Sequence, residues 1–278
     1  MTRILRTRAD LREALHDAAR PIGLVPTMGW LHDGHRALMR QARATDATTV
    51  VSIFVNPRQF GQATEFARYP RNEARDLEAC ERAGVDLVFA PTVDEVYHPG
   101  FDPRVSVGAI AGPLEGAARP GHFDGVATVV AILFALVGAE RAYFGIKDYQ
   151  QVQVIRRMAL DLALPTEVIA CATIREPDGL AMSSRNARLS PAGRAAASVL
   201  RRALVAGASA VRSGTRDAEA VRAAMRSVLA TEPMAGPDYV SVADPDTLEE
   251  LESVAGRALL SLAVGIEGVR LIDNERVG

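Results

Sequence analysis

The chain alternates between short apolar runs and amphipathic segments as far as residue 173, and this alternation constrains the fold more than any other feature. The run TTVVSIFV at 48–55 is β-branched and uninterrupted, which is typical of a parallel strand covered on both faces. The alternation predicts an α/β fold, a doubly wound parallel-sheet (Rossmann-like) domain that binds ligands at the carboxyl ends of its strands. The predicted strands are 23–27, 48–55, 86–90, 141–144 and 166–173, and the predicted helices are 34–44, 71–83, 126–138 and 148–161.

The pattern changes after about residue 175, where the remaining chain indicates a separate and smaller domain. Ser190-Pro191 has the residue types of an N-cap and a first helical position, and it opens an Ala/Arg-rich helix to about residue 212. A second helix over 217–230 and antiparallel strands over 237–242, 258–264 and 269–272 complete the prediction. We therefore expect two domains, residues 1–175 and a C-terminal α+β domain of residues 176–278.

Composition excludes several functional classes. The net charge is −2 and the pI is near 6.2, so no basic surface for nucleic acid or an anionic membrane is indicated. The arginine-rich start leaves no apolar core for a signal peptide, and the apolar stretch 126–139 is too short to span a bilayer. Cys80 and Cys171 match no metal or redox spacing, and we interpret them as buried, reduced thiols. A soluble, cytoplasmic protein is expected.

Two histidines follow the first predicted strand, in the segment His32-Asp33-Gly34-His35. A helix beginning near Gly34 places both on one side of its N-terminus, where free amides and the helix dipole favour an anion. Gly29 and Gly34 allow the backbone to approach a phosphate closely. The structural alternative is a pair of capping histidines, and a weaker one is a zinc site without an evident third ligand. The pair at a strand's carboxyl end favours a phosphate site.

Two further segments offer groups that bind phosphate. Residues 174–186 follow the last predicted strand, and Ser183, Ser184 and Arg185 would supply hydroxyl donors and positive charge. The alternative is a polar linker between domains. Lys147 lies between a strand and a helix, where it suits a polyphosphate, while Asp148 either caps that helix or holds magnesium through water.

The remaining polar candidates are neutral and suit a small hydroxylated or carboxylic ligand. Asn56 and Gln59 leave the second predicted strand at the same edge of the sheet, and the alternative for them is plain turn chemistry. Gln150 and Gln151 begin a helix and point in different directions, so we expect at most one of them to meet a substrate. The segment RPGHF at 119–123 precedes the buried helix and either lines the pocket or serves as a helix start.

These segments, taken in order, resemble the pantothenate synthetases (pantoate–β-alanine ligases). A His-x-Gly-His motif alone suggests only the wider nucleotidyltransferase superfamily, whereas the ordered set is much more specific. The resemblance runs nearly end to end and includes PTMGWLHDGH at 26–35, FVNPRQF at 54–60, YPR at 69–71, RPGHF at 119–123, FGIKDYQQ at 144–151, REPDGLAMSSRN at 175–186 and RLIDN at 270–274.

The resemblance implies roles for individual residues. His35 corresponds to the residue usually assigned as proton donor, and His32 joins it at the ATP phosphates. Gln59 corresponds to the glutamine that meets pantoate beside the β-alanine site, and Gln151 to the second pantoate glutamine, with Asn56 a further candidate. The implied ATP contacts are Met28, Gly29, Trp30, Leu31, His32, Asp33, Gly34, His35, Gly145, Ile146, Lys147, Asp148, Ile174, Met182, Ser183, Ser184 and Arg185. Met28 is also a substrate candidate, and Lys147, Ser183, Ser184 and Arg185 are catalytic candidates.

The resemblance also implies a reaction and partners. The family joins pantoate to β-alanine with ATP and Mg²⁺ through a pantoyl adenylate, releasing AMP and diphosphate, and it usually forms homodimers. Two residues depart from the family's common pattern, Ile146 where a polar residue is more frequent and Trp30 where another residue is common. The alternatives are a nucleotidylyltransferase of the same superfamily, which needs a phosphate-bearing acceptor and an extra basic cluster, and a nucleotide-binding regulator without catalysis.

Overall fold

The structure is a computed structural model that describes residues 1–61 and 63–278. The chain divides into two compact units. The first comprises residues 1–146 and 150–172, and the second comprises residues 147–149 and 173–278. The short segment 147–149 therefore belongs with the C-terminal part of the chain, although it lies within the sequence of the first.

The first unit alternates strands and helices along the described chain. It contains the short 3-10 turns Pro57–Gln59 and Ala109–Ala111 and the first residue of another, Ile146–Asp148. Its strands and helices are β1 (Arg3–Leu5), α1 (Arg8–His16), β2 (Ile22–Thr27), α2 (Asp33–Thr45), β3 (Thr48–Ile53), α3 (Ala63–Arg68), α4 (Glu73–Arg82), β4 (Leu87–Phe89), α5 (Val93–Val96), α6 (Glu115–Ala118), α7 (His122–Val137), β5 (Arg141–Gly145), α8 (Tyr149–Asp161) and β6 (Glu167–Cys171).

The strands of this unit form one parallel sheet in the order β1-β4-β3-β2-β5-β6. The chain moves from β2 toward β3 and β4 on one side, and β5 and β6 extend the sheet on the other. The winding direction thus reverses beside β2, and a crevice at the carboxyl end of the strands forms at such a switch point. This confirms the predicted doubly wound α/β fold and places the loop after β2 where ligands bind in such sheets.

Both faces of the sheet are covered, which explains the continuous apolar runs. Neighbouring residues of β2 enter different cores, because successive side chains of a strand point to opposite faces. Leu24 packs with residues of α1, α7 and α8, such as Leu11 and Val130. Val25 packs with residues of α2 and α4, such as Met39 and Ala79.

The second unit is a small α+β domain, as the sequence predicts. Its described elements are the 3-10 turn Ser184–Arg188, α9 (Pro191–Ala196), α10 (Val199–Arg212), α11 (Ala218–Leu229), β7 (Gly236–Ala243), β8 (Ala258–Ile266) and β9 (Val269–Val277). The three strands pair antiparallel in the order β7-β8-β9. Apolar residues of α10, α11 and the sheet form its core, among them Leu200, Leu204, Met225, Leu260 and Leu262.

The structure differs from the sequence-based assignment in several places. The short helices α3, α5 and α6 were not predicted, and β9 continues to Val277 beyond its predicted end at 272. β1 and α1 were not predicted, because β1 is three residues long and α1 is mostly polar, starting at a capping box of Thr7 and Asp10. Helix α7 begins at His122 rather than 126, since its polar first turn does not share the apolar pattern. The predicted helix 190–212 is two helices, α9 and α10, that meet at residues 197–198.

The cysteines differ in burial. Cys80, on α4, is buried as predicted, whereas Cys171 at the end of the edge strand β6 is only half-buried. Neither forms a disulfide. None of the helices in the described chain combines the length and the apolar character that crossing a membrane requires.

Candidate functional site

The loop between β2 and α2 turns sharply at Gly29 and Trp30. Both residues have a positive φ, 78° at Gly29 and 50° at Trp30. This conformation costs little for glycine and is uncommon for a bulky residue. Trp30 is held by the Arg75 guanidinium, which lies 4.8 Å from its ring centroid and donates to the Leu31 carbonyl at 3.0 Å. The turn is therefore imposed by contacts with α4.

Asp76 on α4 is the acceptor for this loop. Its buried carboxylate accepts hydrogen bonds from the amides of Trp30 and Leu31, each at 2.7 Å. A Cβ on Gly29 would lie 2.8 Å from Asp76 Oδ2, so the glycine permits this approach. Asp76 was not predicted, because a carboxylate within a charged amphipathic helix gives the same sequence pattern whether it is solvated or buried.

The two histidines form the N-terminal cap of α2. His32 is the N-cap residue, and its Nδ1 accepts from the Gly34 amide at 3.1 Å. His35 Nδ1 in turn accepts from the His32 amide at 3.3 Å, which completes a capping box. The ring centroids lie 4.0 Å apart. The two histidines therefore cap the helix, as in the structural alternative, and they also lie together on one side of its N-terminus, as predicted.

These bonds fix the tautomer of both rings. A nitrogen that accepts from an amide N–H carries no proton, so the proton of each neutral imidazole is on Nε2. His32 and His35 thus each carry an Nε2–H donor at the N-terminus of α2. Donors of this kind beside the positive end of a helix dipole suit a phosphate or carboxylate oxygen.

Asn56 and Gln59 form a hydrogen-bonded group after β3. Asn56 Nδ2 donates to Gln59 Oε1 at 3.0 Å and to the Gly125 carbonyl at 3.0 Å. Its Oδ1 accepts from the Tyr97 hydroxyl at 2.7 Å, and burial raises the pKa of that phenol, which therefore stays a donor. Gln59 Nε2 then faces Met28 Sδ at 3.1 Å. Asn56 consequently orients the Gln59 amide, and the loop after β2 lies beside it.

The segment 119–123 packs against the same turn. His122 Nδ1 lies 2.9 Å from the Gln59 carbonyl, and Arg119 donates to that carbonyl at 3.3 Å. At Gly125 a Cβ would come within 2.3 Å of the Arg58 carbonyl oxygen, so only glycine lets α7 approach this closely. The first turn of α7 thus fixes the backbone that carries Gln59.

The two glutamines at the start of α8 have different environments. Gln150 is buried, accepts from the Glu115 amide at 3.0 Å and donates to the Ile110 and Pro113 carbonyls at 3.0 and 2.7 Å. Gln151 is half-buried. Gln150 therefore braces the 110–115 segment, which leaves Gln151 as the candidate for substrate contact.

In the second unit, Lys147 and Asp148 occupy a 3-10 turn. The Lys147 side chain is mostly buried, and its Nζ lies 3.5 Å from Asp148 Oδ1. The Lys147 carbonyl accepts a hydrogen bond from Asn274 Nδ2 at 2.8 Å. Lys147 thus lies on a short turn whose backbone is held by a hydrogen bond from β9.

The segment 174–185 of the same unit forms a hairpin and then a 3-10 turn. The Met182 amide donates to the Ile174 carbonyl at 2.9 Å, so the structure brings these two predicted ATP contacts together. Ser183 caps the turn, because its Oγ accepts from the Arg185 amide at 3.2 Å, and its own hydroxyl hydrogen can still be donated. Ser184 is buried beside it.

The candidate residues suit an anion better than a metal held by protein alone. Across residues 1–61 and 63–278, no group of three or more His, Cys, Asp or Glu side chains is placed to hold a metal ion. The candidates instead carry imidazole, ammonium, guanidinium and hydroxyl donors. Groups of these types neutralise phosphate charge.

Comparison with known proteins gives a consistent family. The family described as "Pantoate-beta-alanine ligase" matches residues 3–276. A pantothenate synthetase of Roseiflexus sp. (strain RS-1) is 58% identical over 272 residues, which are 98% of each chain.

Solved structures agree with this. The crystal structure of pantothenate synthetase from Thermus thermophilus shares 48% identity with a TM-score of 0.94, and each chain is covered to 98%. A pantoate–β-alanine ligase from Francisella tularensis, complexed with "Beta-gamma ATP" and β-alanine, shares 32% identity with a TM-score of 0.83, covering 99% of this chain and 97% of that one. The chain therefore belongs to the pantoate–β-alanine ligase family of enzymes.

Proposed function

We propose that this enzyme condenses (R)-pantoate with β-alanine, using ATP, to give pantothenate, AMP and diphosphate through an enzyme-bound pantoyl adenylate. The observation that carries the proposal is the histidine capping box, which holds two Nε2–H donors at the N-terminus of α2, directly after β2. The family match over residues 3–276 supports this reaction.

The proposal assigns tasks to both parts of the chain. Residues 1–175 act as the ATP- and pantoate-binding domain and residues 176–278 as a lid domain. Gln59 and Gln151 bind pantoate, with Met28 beside Gln59 and Asn56 orienting it. The residues proposed to contact ATP are Met28, Gly29, Trp30, Leu31, His32, Asp33, Gly34, His35, Gly145, Ile146, Lys147, Asp148, Ile174, Met182, Ser183, Ser184 and Arg185.

In the first step a pantoate carboxylate oxygen attacks the α-phosphorus of ATP, and the bond to the bridging oxygen of diphosphate breaks. Negative charge then grows on the α-phosphate and on the departing diphosphate. His32 and His35 donate through Nε2, Lys147 and Arg185 supply positive charge, and Ser183 and Ser184 supply hydroxyl donors. Preorganised donors of this kind are worth roughly 3–4 kcal/mol each in the transition state.

Magnesium fits this donor set as an ion carried by the nucleotide. Mg²⁺ usually binds phosphate oxygens and water with one or two carboxylates, and Asp148 is the carboxylate that the Lys147 turn offers. When bound, the ion neutralises phosphate charge and makes diphosphate a better leaving group. The residues themselves orient the phosphates and donate hydrogen bonds.

In the second step the neutral amine of β-alanine attacks the acyl carbon of the adenylate. The C–N bond forms, the bond to the AMP oxygen breaks and AMP leaves, and the amine proton is released to water. Placing the amine beside the acyl carbon supplies much of the rate, because the reaction becomes effectively intramolecular. The adenylate must be protected from water in the meantime, which is the task proposed for the lid domain.

The test is isotope exchange. The enzyme with pantoate, MgCl₂ and ATP should incorporate labelled diphosphate into ATP without β-alanine, since adenylate formation is reversible. Omitting pantoate is the control and should abolish the exchange. A folded enzyme that makes pantothenate but shows no pantoate-dependent exchange would rule out the adenylate.

The proposal includes a homodimer located in the cytoplasm. A cytoplasmic location fits an enzyme that consumes ATP. The dimer is expected from the family resemblance.

A further inference from the structure

Strand β9 contains two consecutive buried polar residues, Asp273 and Asn274, at the end of the RLIDN segment. The side chains of a strand alternate between faces, so only one of two neighbours is expected to be buried in a sheet with one covered face. Buried polar groups destabilise a fold unless they are hydrogen-bonded. The roles proposed above for the active site use neither residue, and their partners therefore indicate what they do.

Asp273 holds the hairpin that leads into the Ser183–Arg185 segment. Arg175 binds its carboxylate with two hydrogen bonds, Nη1 to Oδ2 at 2.6 Å and Nη2 to Oδ1 at 3.0 Å. Arg175 Nη1 also donates to the Gly179 carbonyl at 3.0 Å, within the turn of the hairpin. The hairpin closes through a bridge between Arg175 and Ala181. Asp273 thus fixes Arg175, and Arg175 in turn holds the turn of the hairpin.

Asn274 holds the other candidate segment of the second unit. Its Nδ2 donates to the Lys147 carbonyl at 2.8 Å, although the two residues are 127 positions apart in sequence. The backbone amide of Asn274 donates to Asp273 Oδ1 at 2.8 Å. Asn274 is therefore bonded to the Lys147 turn, and its neighbour on β9, Asp273, is bonded to the 175–181 hairpin.

We propose that Asp273 and Asn274 are positioning residues that hold Lys147 and the Ser183–Arg185 segment in a fixed spatial relation. Both segments are assigned to the ATP phosphates above, and this inference rests on that proposed function. Donors stabilise transition-state charge best when they are already in place before the reaction. Asp273 and Asn274 therefore influence the reaction of ATP by fixing these two donor segments, without contacting the nucleotide. Asp273 and Asn274 act through Lys147 and Arg175, and they have no part in β-alanine binding.

The test is a double-mutant cycle with Asn274→Ala and Lys147→Ala in the full-length enzyme. Asn274→Ala should lower kcat/KM for ATP in diphosphate exchange by about fivefold, the factor expected from one hydrogen bond of typical strength. In the Lys147→Ala background the same change should cost less than about twofold, because the group it positions is gone. Equal losses in both backgrounds, or no loss in either, overturn the proposal.

Two measurements separate positioning from a general loss of structure. KM for β-alanine in the complete reaction should stay within about twofold of wild type for Asn274→Ala, whereas a structural defect raises it too. If Lys147→Ala is too slow for the exchange assay, the same double-mutant cycle can be measured by calorimetry, as the affinity for a non-hydrolysable ATP analogue with MgCl₂. Additive losses of affinity again contradict the inference.

Arg175→Lys tests the Asp273 arm, because lysine keeps the charge but loses the paired hydrogen bonds. It should raise KM for ATP and leave KM for β-alanine unchanged, and a parallel rise of both overturns the assignment. Arg257→Ala is the matched control, since it removes an exposed ion pair with Asp246 in the same unit and should change neither constant.

If wild-type enzyme itself shows no pantoate-dependent exchange, the proposed function fails. If wild type exchanges and the cycle is additive, only this inference fails.

Discussion

At the scale of single residues, the histidine pair combines a structural task with a chemical one. Each Nδ1 satisfies a backbone amide at the start of α2, and this bond leaves the proton on Nε2. Replacing either histidine therefore removes a cap, which is typically worth about 1 kcal/mol, as well as a donor. The two contributions must be separated before a loss of activity is assigned to catalysis.

Two substitutions at His35 separate them. His35→Asn can keep an acceptor for the His32 amide but has no distal N–H, whereas His35→Ala removes both groups. We expect both variants to lower kcat by roughly 10²–10³, the loss typical of one transition-state donor. Thermal unfolding should show His35→Ala to be the less stable of the two. If His35→Asn turns over at a near-normal rate, His35 does not donate in the reaction.

The thiol of Cys80 gives a prediction that is independent of function. Burial, reinforced by the Asp76 carboxylate, raises the pKa of the Cys80 thiol to about 12. The reactive thiolate is thus absent at pH 8, and folded enzyme should leave Cys80 unlabelled by iodoacetamide. Mass spectrometry after brief alkylation should find label on the half-buried Cys171 before Cys80, and denatured protein, in which both react, is the control. Early labelling of Cys80 would contradict its burial on the inner face of α4.

At the scale of elements, the first turn of α7 packs directly on the 3-10 turn that carries Gln59. The contact has no side chain between the two backbones at Gly125, and Asn56 Nδ2 donates to the Gly125 carbonyl. Helix α7 is otherwise buried in the core of the first unit. The position of Gln59, a proposed pantoate contact, therefore depends on how closely α7 packs against the turn that carries it.

Gly125→Ala tests this dependence. The added methyl would meet the Arg58 carbonyl oxygen at 2.3 Å and the Gln59 amide nitrogen at 2.7 Å, so helix and turn must separate. Overpacking of this kind typically costs about 1–3 kcal/mol. We expect lower stability in urea unfolding and a raised KM for pantoate. Gly256→Ala, with no atom within 4 Å of its added methyl, is the control and should change neither.

The sequence predicts most elements because their patterns are local. β3 and α2 are found close to their predicted bounds, since an unbroken β-branched run and an apolar helical face are visible within a few residues. β1 was missed because three residues at a sheet edge carry no such pattern, and only pairing with β4 identifies it. The interruption at residues 197–198 was missed because the alanine-rich sequence there has no helix-breaking residue.

At the scale of the whole molecule, the candidate site is less predictable than the fold. Motifs indicate the residues that bear the chemistry, such as His32 and Lys147, because chemistry restricts residue type. The residues that hold the backbone at or next to them, such as Asp76 and Asn274, are far from them in sequence and lie within segments whose pattern is that of an ordinary helix and strand. Long-range hydrogen bonds of this kind become visible only when the fold brings the partners together.

The proposed homodimer predicts the mass of the assembly. Sedimentation equilibrium at micromolar concentration should give twice the chain mass of 29.7 kDa. The sheet of the first unit offers a physical reason, because β6 is an edge strand and edge strands can pair with another chain. A mass equal to one chain across the concentration range would contradict the dimer, and the same run in denaturant gives the single-chain reference.

The fixed tautomers of His32 and His35 have a consequence for magnetic resonance. Selective ¹⁵N labelling of the imidazoles should show each of these rings with a protonated ε nitrogen and a bare δ nitrogen, before any nucleotide is added. Each of these two signals reports on the start of α2. Titration with ATP should then shift the ε resonances more than the δ resonances, which would turn the helix cap into a spectroscopic probe of phosphate binding.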